Sequence, residues 1–165
     1  MITKIQILTT GGTIEGLDYD DENKASLNVS VSIAELLENI STRNSYIIQN
    51  VFSKDSRFIS DDDRNNITEI IRNSPNQKIL ITHGTLTMVE TAVFLGKQSL
   101  DKIVILTGAF ILGTKPDTDA QDNLEFALSQ FDQLTNGVYI AMHQSVFLWD
   151  NVKKNTISNQ FEKLN

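Results

Sequence analysis

Short apolar segments alternate with longer amphipathic segments along most of the chain. The apolar segments are rich in Ile, Val and Leu, which is typical of strands buried on both faces of a parallel sheet. The predicted strands are residues 5–8, 46–52, 78–82, 103–107 and 138–142. The predicted helices lie between them, at residues 32–40, 60–71, 87–97 and 119–134. This order predicts the α/β class and, within it, a three-layer α/β/α sandwich with a mostly parallel, flavodoxin- or Rossmann-like sheet.

Polar residues mark the starts of two predicted helices. Ser32 and Glu35 have the spacing of a capping box, in which each side chain bonds the other residue's amide. Ser60 precedes the acidic residues 61–63, and the helix dipole favours negative charge in a first turn. Both positions therefore predict a helix that begins at a serine.

Two polar segments lack helical or strand periodicity. Residues 17–28 contain four acidic side chains, and we interpret them as a solvated loop, with a lid over a binding site as the alternative. The segment from residue 149 onward is polar and shows no sign of a second domain. We therefore expect one domain over residues 1–165.

Composition and charge exclude several classes of function. The chain has 14 Lys and Arg against 21 Asp and Glu, a formal net charge of −7, which argues against nucleic-acid binding. It has no Cys, which excludes disulfides and thiolate metal sites. Its apolar runs are far shorter than the roughly 18 residues of a membrane span, and residues 1–8 do not have the pattern of a secretory signal. We expect a cytoplasmic protein with no cofactor, metal or membrane partner.

Candidate binding residues follow the predicted strands, because ligands of open parallel sheets bind at the carboxyl ends of the strands. These ends carry residues 10–13, 53–55, 82–85 and 107–108. Gly11 and Gly12 allow a tight turn whose amides face a ligand, although an ordinary turn has the same pattern, and the spacing of a phosphate loop is missing.

His83 and the threonines that follow it have structural as well as chemical interpretations. His83 is either a buried, hydrogen-bonded imidazole or a site residue, and one of Thr85 and Thr87 is expected to cap a helix. No spacing typical of a zinc site or of a serine-hydrolase elbow is present. A threonine becomes a nucleophile only beside a base, for which Lys154 and Lys54 are candidates.

Four segments carry a resemblance to the bacterial-type L-asparaginase/glutaminase family, one of them residues 104–109, which resemble the strand after its second signature. Residues 7–14, Ile-Leu-Thr-Thr-Gly-Gly-Thr-Ile, resemble its first signature, and residues 81–92, with His-Gly-Thr-Leu-Thr-Met and Glu-Thr-Ala, resemble its second. Residues 137–155 resemble the end of its N-terminal domain. The chain is similar to short, single-domain members that lack the family's C-terminal domain. The resemblance implies a homodimeric amidohydrolase that acts on asparagine or a related small amide through a threonine nucleophile and an acyl-enzyme.

The resemblance also implies roles for individual residues. Thr13 matches the nucleophile, Tyr19 the loop tyrosine that helps to activate it, and Thr85 with Lys154 the second threonine and its lysine. The implied substrate-binding residues are Gly12, Ser53, Lys54, Asp55, Gly84 and Leu86, with Ser53 holding the substrate's α-carboxylate.

Leu86 departs from the family's motif, which has an aspartate there that binds the substrate's α-ammonium. Loss of such a charged hydrogen bond weakens amino-acid binding by roughly 10- to 150-fold. The substitution favours anionic ligands without an α-ammonium, such as a dicarboxylate or a monoamide. It also leaves open a catalytically silent domain that binds a small acidic metabolite or a partner protein. A nucleotide-binding module at Gly11 and Gly12 is a third, weaker alternative.

Overall fold

The computed structural model describes residues 4–17 and 30–165. The strands in these ranges are β1 (Lys4–Thr9), β2 (Ser45–Asn50), β3 (Lys78–Thr82), β4 (Ile103–Thr107), β5 (Gly137–Met142), β6 (Ser145–Leu148), β7 (Lys153–Asn155) and β8 (Gln160–Glu162). The helices are α1 (Ile33–Leu37), α2 (Asp61–Asn73), α3 (Met88–Gly96) and α4 (Ala120–Gln130), with short 3₁₀ turns at Thr13–Glu15 and Ser56–Phe58. None of the helices in the described ranges is long and apolar enough to cross a membrane.

The central sheet has the strand order β2-β1-β3-β4-β5-β6. Its first five strands are parallel, and β6 pairs antiparallel with β5. Thr9, Thr82 and Thr107 are aligned across β1, β3 and β4, where each strand ends. The segments that follow these three strands therefore meet at one edge of the sheet, as the strand pattern predicts.

Helices cover both faces of this sheet. Ile33 and Leu37 of α1 and Leu124 of α4 belong to one buried cluster, which packs against Ile5 and Ile7 of β1. A second cluster contains Ile67 of α2 and Leu95 of α3, together with residues from the other face of the sheet. These two clusters confirm the predicted three-layer sandwich, and the strand pairing confirms its mostly parallel sheet.

The predicted helix starts are confirmed at two serines. Ser32 accepts a hydrogen bond from the Glu35 amide and Glu35 bonds back, so the capping box is complete. Ser60 and Asp63 form an equivalent pair at the start of α2. Thr87 occupies the cap position of α3, but its hydroxyl donates to the Ser56 carbonyl instead of capping the helix.

Residues 145–165 contain elements that the sequence pattern does not predict. Strand β6 is short, and β7 and β8 form a separate two-stranded hairpin. Val152 and Phe161 are buried against the second cluster, so this polar segment is anchored to the core by two apolar side chains. The hairpin places Lys154 next to Thr85, in the site described next.

Candidate functional site

A cavity of about 340 Å³ lies where the segments after β1, β3 and β4 meet. It is lined by Gly12, Thr13, Leu17, Asp55, Ser56, Arg57, Gly84, Thr85, Leu86, Phe110, Leu112 and Lys154. We call its buried members Gly12, Ser56 and Gly84 the floor, and its exposed members Arg57 and Leu86 the rim. The cavity thus combines hydroxyl groups, one lysine and one Asp–Arg pair with several apolar side chains.

The backbones of two glycines, Gly12 and Gly84, lie in close contact in the floor. Gly12 has φ +95° and ψ −179°, a backbone conformation that is essentially reserved for glycine. A Cβ added to Gly12 would lie 2.8 Å from the Gly84 amide nitrogen, and one added to Gly84 would lie 2.9 Å from the Ser56 side chain. The two chain segments therefore approach more closely than any other residue allows, and this approach brings Thr13 and Thr85 into one cavity.

Thr85 and Lys154 form the contact with the clearest chemical meaning. The Lys154 Nζ donates to the Thr85 Oγ1 over 3.2 Å, although 69 residues separate the two. The Phe110 ring lies 5.2 Å from the same nitrogen. Partial burial lowers the pKa of Lys154, and the negative charge of Glu90 opposes that shift. A larger fraction of Lys154 is therefore neutral than in an ordinary exposed lysine, and a neutral amine is a base.

A series of buried hydrogen bonds fixes the backbone of Gly84, which is part of the floor. The His83 Nδ1 lies 2.7 Å from the Gly84 carbonyl oxygen, and its Nε2 lies 2.8 Å from the Thr91 Oγ1. Because a carbonyl only accepts, the Nδ1 carries the proton and Thr91 donates to the Nε2. Arg64 in turn donates to the Thr91 Oγ1 over 2.9 Å.

Burial lowers the pKa of His83 to about 4, so the imidazole is neutral at physiological pH. It is fully buried and hydrogen-bonded at both nitrogens, as the structural interpretation of the sequence predicts. His83 therefore fixes the Gly84 carbonyl and does not itself line the cavity.

Thr13 lies at the start of the 3₁₀ turn and lines the cavity. Its carbonyl accepts hydrogen bonds from the amides of Gly16 and Gly113, which fixes the turn against the segment after β4. Tyr19 and most of the predicted 17–28 loop fall outside the described residues.

The segment after β2 contributes residues other than those expected. Ser53 is exposed, and neither it nor Lys54 belongs to the cavity lining in the part of the chain that the structure describes. The Lys54 Nζ is paired instead with the Asp63 carboxylate at 2.8 Å. Asp55 does line the cavity, and so does Ser56, which the sequence analysis missed.

Asp55 explains why Ser56 faces inward. The Asp55 side chain accepts a hydrogen bond from the Arg57 amide at 2.9 Å, which starts the 3₁₀ turn that carries Ser56. Ser56 is only 3% exposed, and its Oγ accepts a hydrogen bond from the Thr87 amide. An aspartate that bonds the amide two residues further on is a local turn signal, and it could have indicated this geometry from the sequence.

Phe110 and Asp119 are two further residues that the sequence analysis missed. Asp119 accepts hydrogen bonds from the amides of Phe110 and Ile111 and lies 2.7 Å from the His143 Nε2. Burial opposes ionisation of Asp119, but these hydrogen bonds outweigh it and lower its pKa. The Phe110 ring is thereby held between Lys154 and the rings of His143 and Phe161.

The described residues contain no group of three His, Cys, Asp or Glu placed to hold a metal ion. The carboxylate in the cavity lining belongs to Asp55, which is already bonded to Arg57. Hydroxyl groups and a partly buried lysine between strand ends are suited to acyl transfer, in which an alcohol oxygen attacks a carbonyl carbon.

The fold and the cavity place the chain among three-layer α/β proteins with a site at the carboxyl ends of parallel strands, and comparison with known proteins identifies the family. Residues 4–163 match the family model described as Asparaginase, N-terminal. The chain belongs to the asparaginase family and corresponds to that family's N-terminal domain.

Individual relatives agree with this assignment. A glutaminase-asparaginase from Pseudomonas fluorescens biotype A is 29% identical over 159 residues, which cover 88% of this chain and 43% of the relative. An L-asparaginase from Thermococcus kodakarensis is 29% identical over 157 residues, covering 92% of this chain and 47% of the relative. The crystal structure of a probable cytoplasmic L-asparaginase from Campylobacter jejuni superposes with a TM-score of 0.83 at 28% identity, over 98% of this chain and 53% of that one. The chain thus spans about half the length of the curated relatives it matches.

Proposed function

We propose that this domain is an amidohydrolase of small carboxylic amides, with Thr13 as nucleophile and Thr85 with Lys154 as the proton-transfer pair. The observation that carries the proposal is the 3.2 Å contact between the Lys154 Nζ and the Thr85 Oγ1 inside the cavity that Thr13 also lines. The names of its relatives, asparaginases and glutaminase-asparaginases, support the amide as the scissile group.

The reaction would proceed in two steps. The Thr13 Oγ1 bonds to the amide carbon, the carbon–nitrogen bond breaks, and ammonia leaves with the threonine's proton, so that an ester to Thr13 remains. Water then attacks the ester carbon and gives a proton to the Thr85 and Lys154 pair; the bond to the Thr13 Oγ1 breaks, that oxygen takes the proton back, and the carboxylic acid and free Thr13 result. The lowered pKa of Lys154 supports its role as the base, because a neutral amine is needed to accept that proton.

Substrate binding is assigned to residues that line the cavity. We assign to Ser56, in place of Ser53, the hydroxyl that donates a hydrogen bond to the substrate's carboxylate. Ser56 lines the cavity, whereas Ser53 is exposed and does not. Gly12 and Gly84 supply the close backbone on which the substrate lies. Tyr19 remains the proposed activator of Thr13 on the basis of the resemblance alone.

Ammonia release from L-asparagine, L-glutamine and succinamate tests the proposal. Thr13→Ala and Lys154→Met should each lower kcat at least 100-fold, the usual size of a lost nucleophile or general base. The matched control is Thr135→Ala, which changes an exposed threonine outside the cavity and should leave the rate unchanged. A Thr13→Ala variant with the unaltered protein's rate would overturn the proposal.

A second candidate function is a catalytically silent domain that binds a small acidic metabolite. The observation that favours it is Leu86, an exposed apolar side chain in the cavity lining. Absence of ammonia release from all three amides, together with a thermal shift on addition of succinate, would support this candidate over the first.

Two further parts of the proposal concern the whole molecule. The description of the Campylobacter jejuni neighbour as cytoplasmic supports a cytoplasmic location, and the family resemblance supports a homodimer. Light scattering of the purified chain measures its mass directly, and a mass of one chain of 18.5 kDa would contradict the dimer.

A further inference from the structure

The charged groups of the cavity lining are few, and their partners decide what the cavity can bind. Among the described residues of the lining they are Asp55, Arg57 and Lys154. Arg57 donates to the Asp55 Oδ2 through its Nε at 2.8 Å and its Nη2 at 2.5 Å, and its amide bonds the Oδ1. The Arg57 guanidinium keeps the pKa of Asp55 low against the opposing effect of burial, so the carboxylate stays ionised and is bound to a charge of the protein itself.

Lys154 supplies the other charge of the lining, and it faces the cavity beside Thr85. Glu90 acts on Lys154 electrostatically but is not part of the lining. A ligand's ammonium placed next to Lys154 would meet a like charge, whereas a carboxylate would find a cation and two hydroxyl groups, those of Thr85 and Ser56.

Apolar side chains occupy much of the remaining wall. Leu17, Leu86, Phe110 and Leu112 line the cavity, and Leu86 directly follows Thr85 in the chain. Leu86 is 53% exposed, so it is available to a ligand and is not engaged in the core. Burying an ammonium against such a wall without a carboxylate costs free energy, whereas a methylene group gains from the same contact.

We infer that the site selects short carboxylic acid amides that lack an α-ammonium group, and that Leu86 is the residue that sets this selectivity. The class comprises monoamides of short dicarboxylic acids, of which succinamate is the simplest test compound. The inference rests on the proposed function for the reacting amide, but the selectivity itself concerns binding and can be measured without turnover.

Calorimetric titration with succinate and L-aspartate tests the selectivity. These two ligands differ only in the α-ammonium, and neither has an amide to hydrolyse. We expect the unaltered protein to bind succinate at least 10-fold more tightly than L-aspartate, which is the lower range for one unpaired charge. Equal or tighter binding of L-aspartate would overturn the inference, whether or not the protein hydrolyses amides.

Two variants of Leu86 test whether this residue causes the preference for succinate over L-aspartate. Leu86→Asp should reverse the preference, because it adds a carboxylate that can pair with the ammonium. Leu86→Asn has nearly the same shape without the charge and should leave succinate preferred. If Leu86→Asp leaves the preference unchanged, Leu86 does not set the selectivity.

The outcomes separate this inference from the proposed function. Ammonia release from L-asparagine that exceeds release from succinamate would contradict the selectivity and support the amidohydrolase. Tighter binding of succinate without ammonia release from any amide would support the selectivity and contradict the amidohydrolase.

Discussion

The floor and the rim of the cavity differ in burial and in what holds their residues in place. The floor is buried, and its glycines are fixed by backbone packing and by the chain of hydrogen bonds from Arg64 through Thr91 to His83. The rim consists of exposed side chains, Leu86 and Arg57, that the core does not hold. Under the proposed function, the floor would hold the neighbouring Thr13 and Thr85 at fixed distances, while ligand selection would depend on Leu86 of the rim.

This difference follows from how stability is distributed. A buried polar chain whose donors and acceptors are all paired is costly to interrupt, because each orphaned group keeps its full desolvation penalty. An exposed side chain such as Leu86 makes few contacts, and its replacement usually changes the free energy of unfolding by no more than about 0.5 kcal/mol. The rim is therefore the part of the site where a new specificity can arise in one step.

Gly12→Ala is the change expected to break the floor most completely. The new Cβ would require a backbone conformation at φ +95° that costs alanine about 1–3 kcal/mol, and it would lie 2.8 Å from the Gly84 nitrogen. The two segments must separate, so Thr13 and Thr85 no longer share one cavity. We expect a lower melting temperature and a loss of ammonia release of at least 100-fold.

Gly96→Ala is the matched control for lost stability. Its Cβ would meet the Trp149 ring at 2.1 Å, at the end of α3 and outside the cavity lining. This variant should also melt earlier but should keep its activity per folded molecule. A Gly12→Ala protein with full activity would show that the close approach of the two glycines is not needed.

The sequence predicts the cavity residues that follow β1 and β3 better than those that follow β2. Gly12, Thr13, Gly84 and Thr85 follow strands whose apolar pattern is unambiguous, and parallel strands bring their carboxyl ends together by topology alone. The loop after β2 has no such constraint, because a shift of three residues in an irregular segment leaves the hydrophobic pattern unchanged. The resemblance therefore assigned Ser53, whereas a turn started by Asp55 places Ser56 in the cavity.

Lys154 illustrates a second limit of the sequence. The residues themselves left it and Lys54 as equal candidates, and only the resemblance favoured Lys154. The hairpin that returns Lys154 to the cavity is polar and short, and the two buried residues that anchor it, Val152 and Phe161, show no period. Such long-range packing is decided by tertiary contacts, which propensity and periodicity do not contain.

The free energy of unfolding should depend on pH because the buried His83 is held neutral in the folded chain. Its pKa is about 4 in the folded chain, below the value of 6.5 for the exposed group, so the unfolded chain takes up a proton first as the pH falls. Stability is therefore complete above pH 6.5 and decreases between pH 6.5 and 4. The expected loss is about 3 kcal/mol, at 1.36 kcal/mol for each pH unit between the two values. Urea unfolding at a series of pH values measures it.

Glu15 opposes the loss of stability that His83 causes at low pH, and a variant of His143 serves as the control. Burial raises the pKa of the Glu15 carboxyl, so its protonation at low pH stabilises the folded chain and offsets part of the loss. His83→Gln should flatten the pH dependence, whereas His143→Gln, at the partly exposed histidine, should keep the loss that His83 causes. A His83→Gln variant with the original pH dependence would show that the floor does not hold this histidine neutral.

The smallest effect that we predict concerns the charge of Glu90 and the pKa of Lys154. Glu90 is exposed, and its charge raises the pKa of Lys154 against the effect of burial. Glu90→Gln should lower the pKa of Lys154 further, so the rise of kcat with pH should occur at lower pH. The pH profile of ammonia release measures this shift.

Glu125→Gln is the control: it removes the same charge from an exposed position of α4 and should leave the pH profile unchanged. A profile that Glu90→Gln does not move, or moves to higher pH, would contradict the assignment of Lys154 as the base. An equal shift in both variants would show that the profile responds to net charge and not to the electrostatic effect of Glu90 on Lys154.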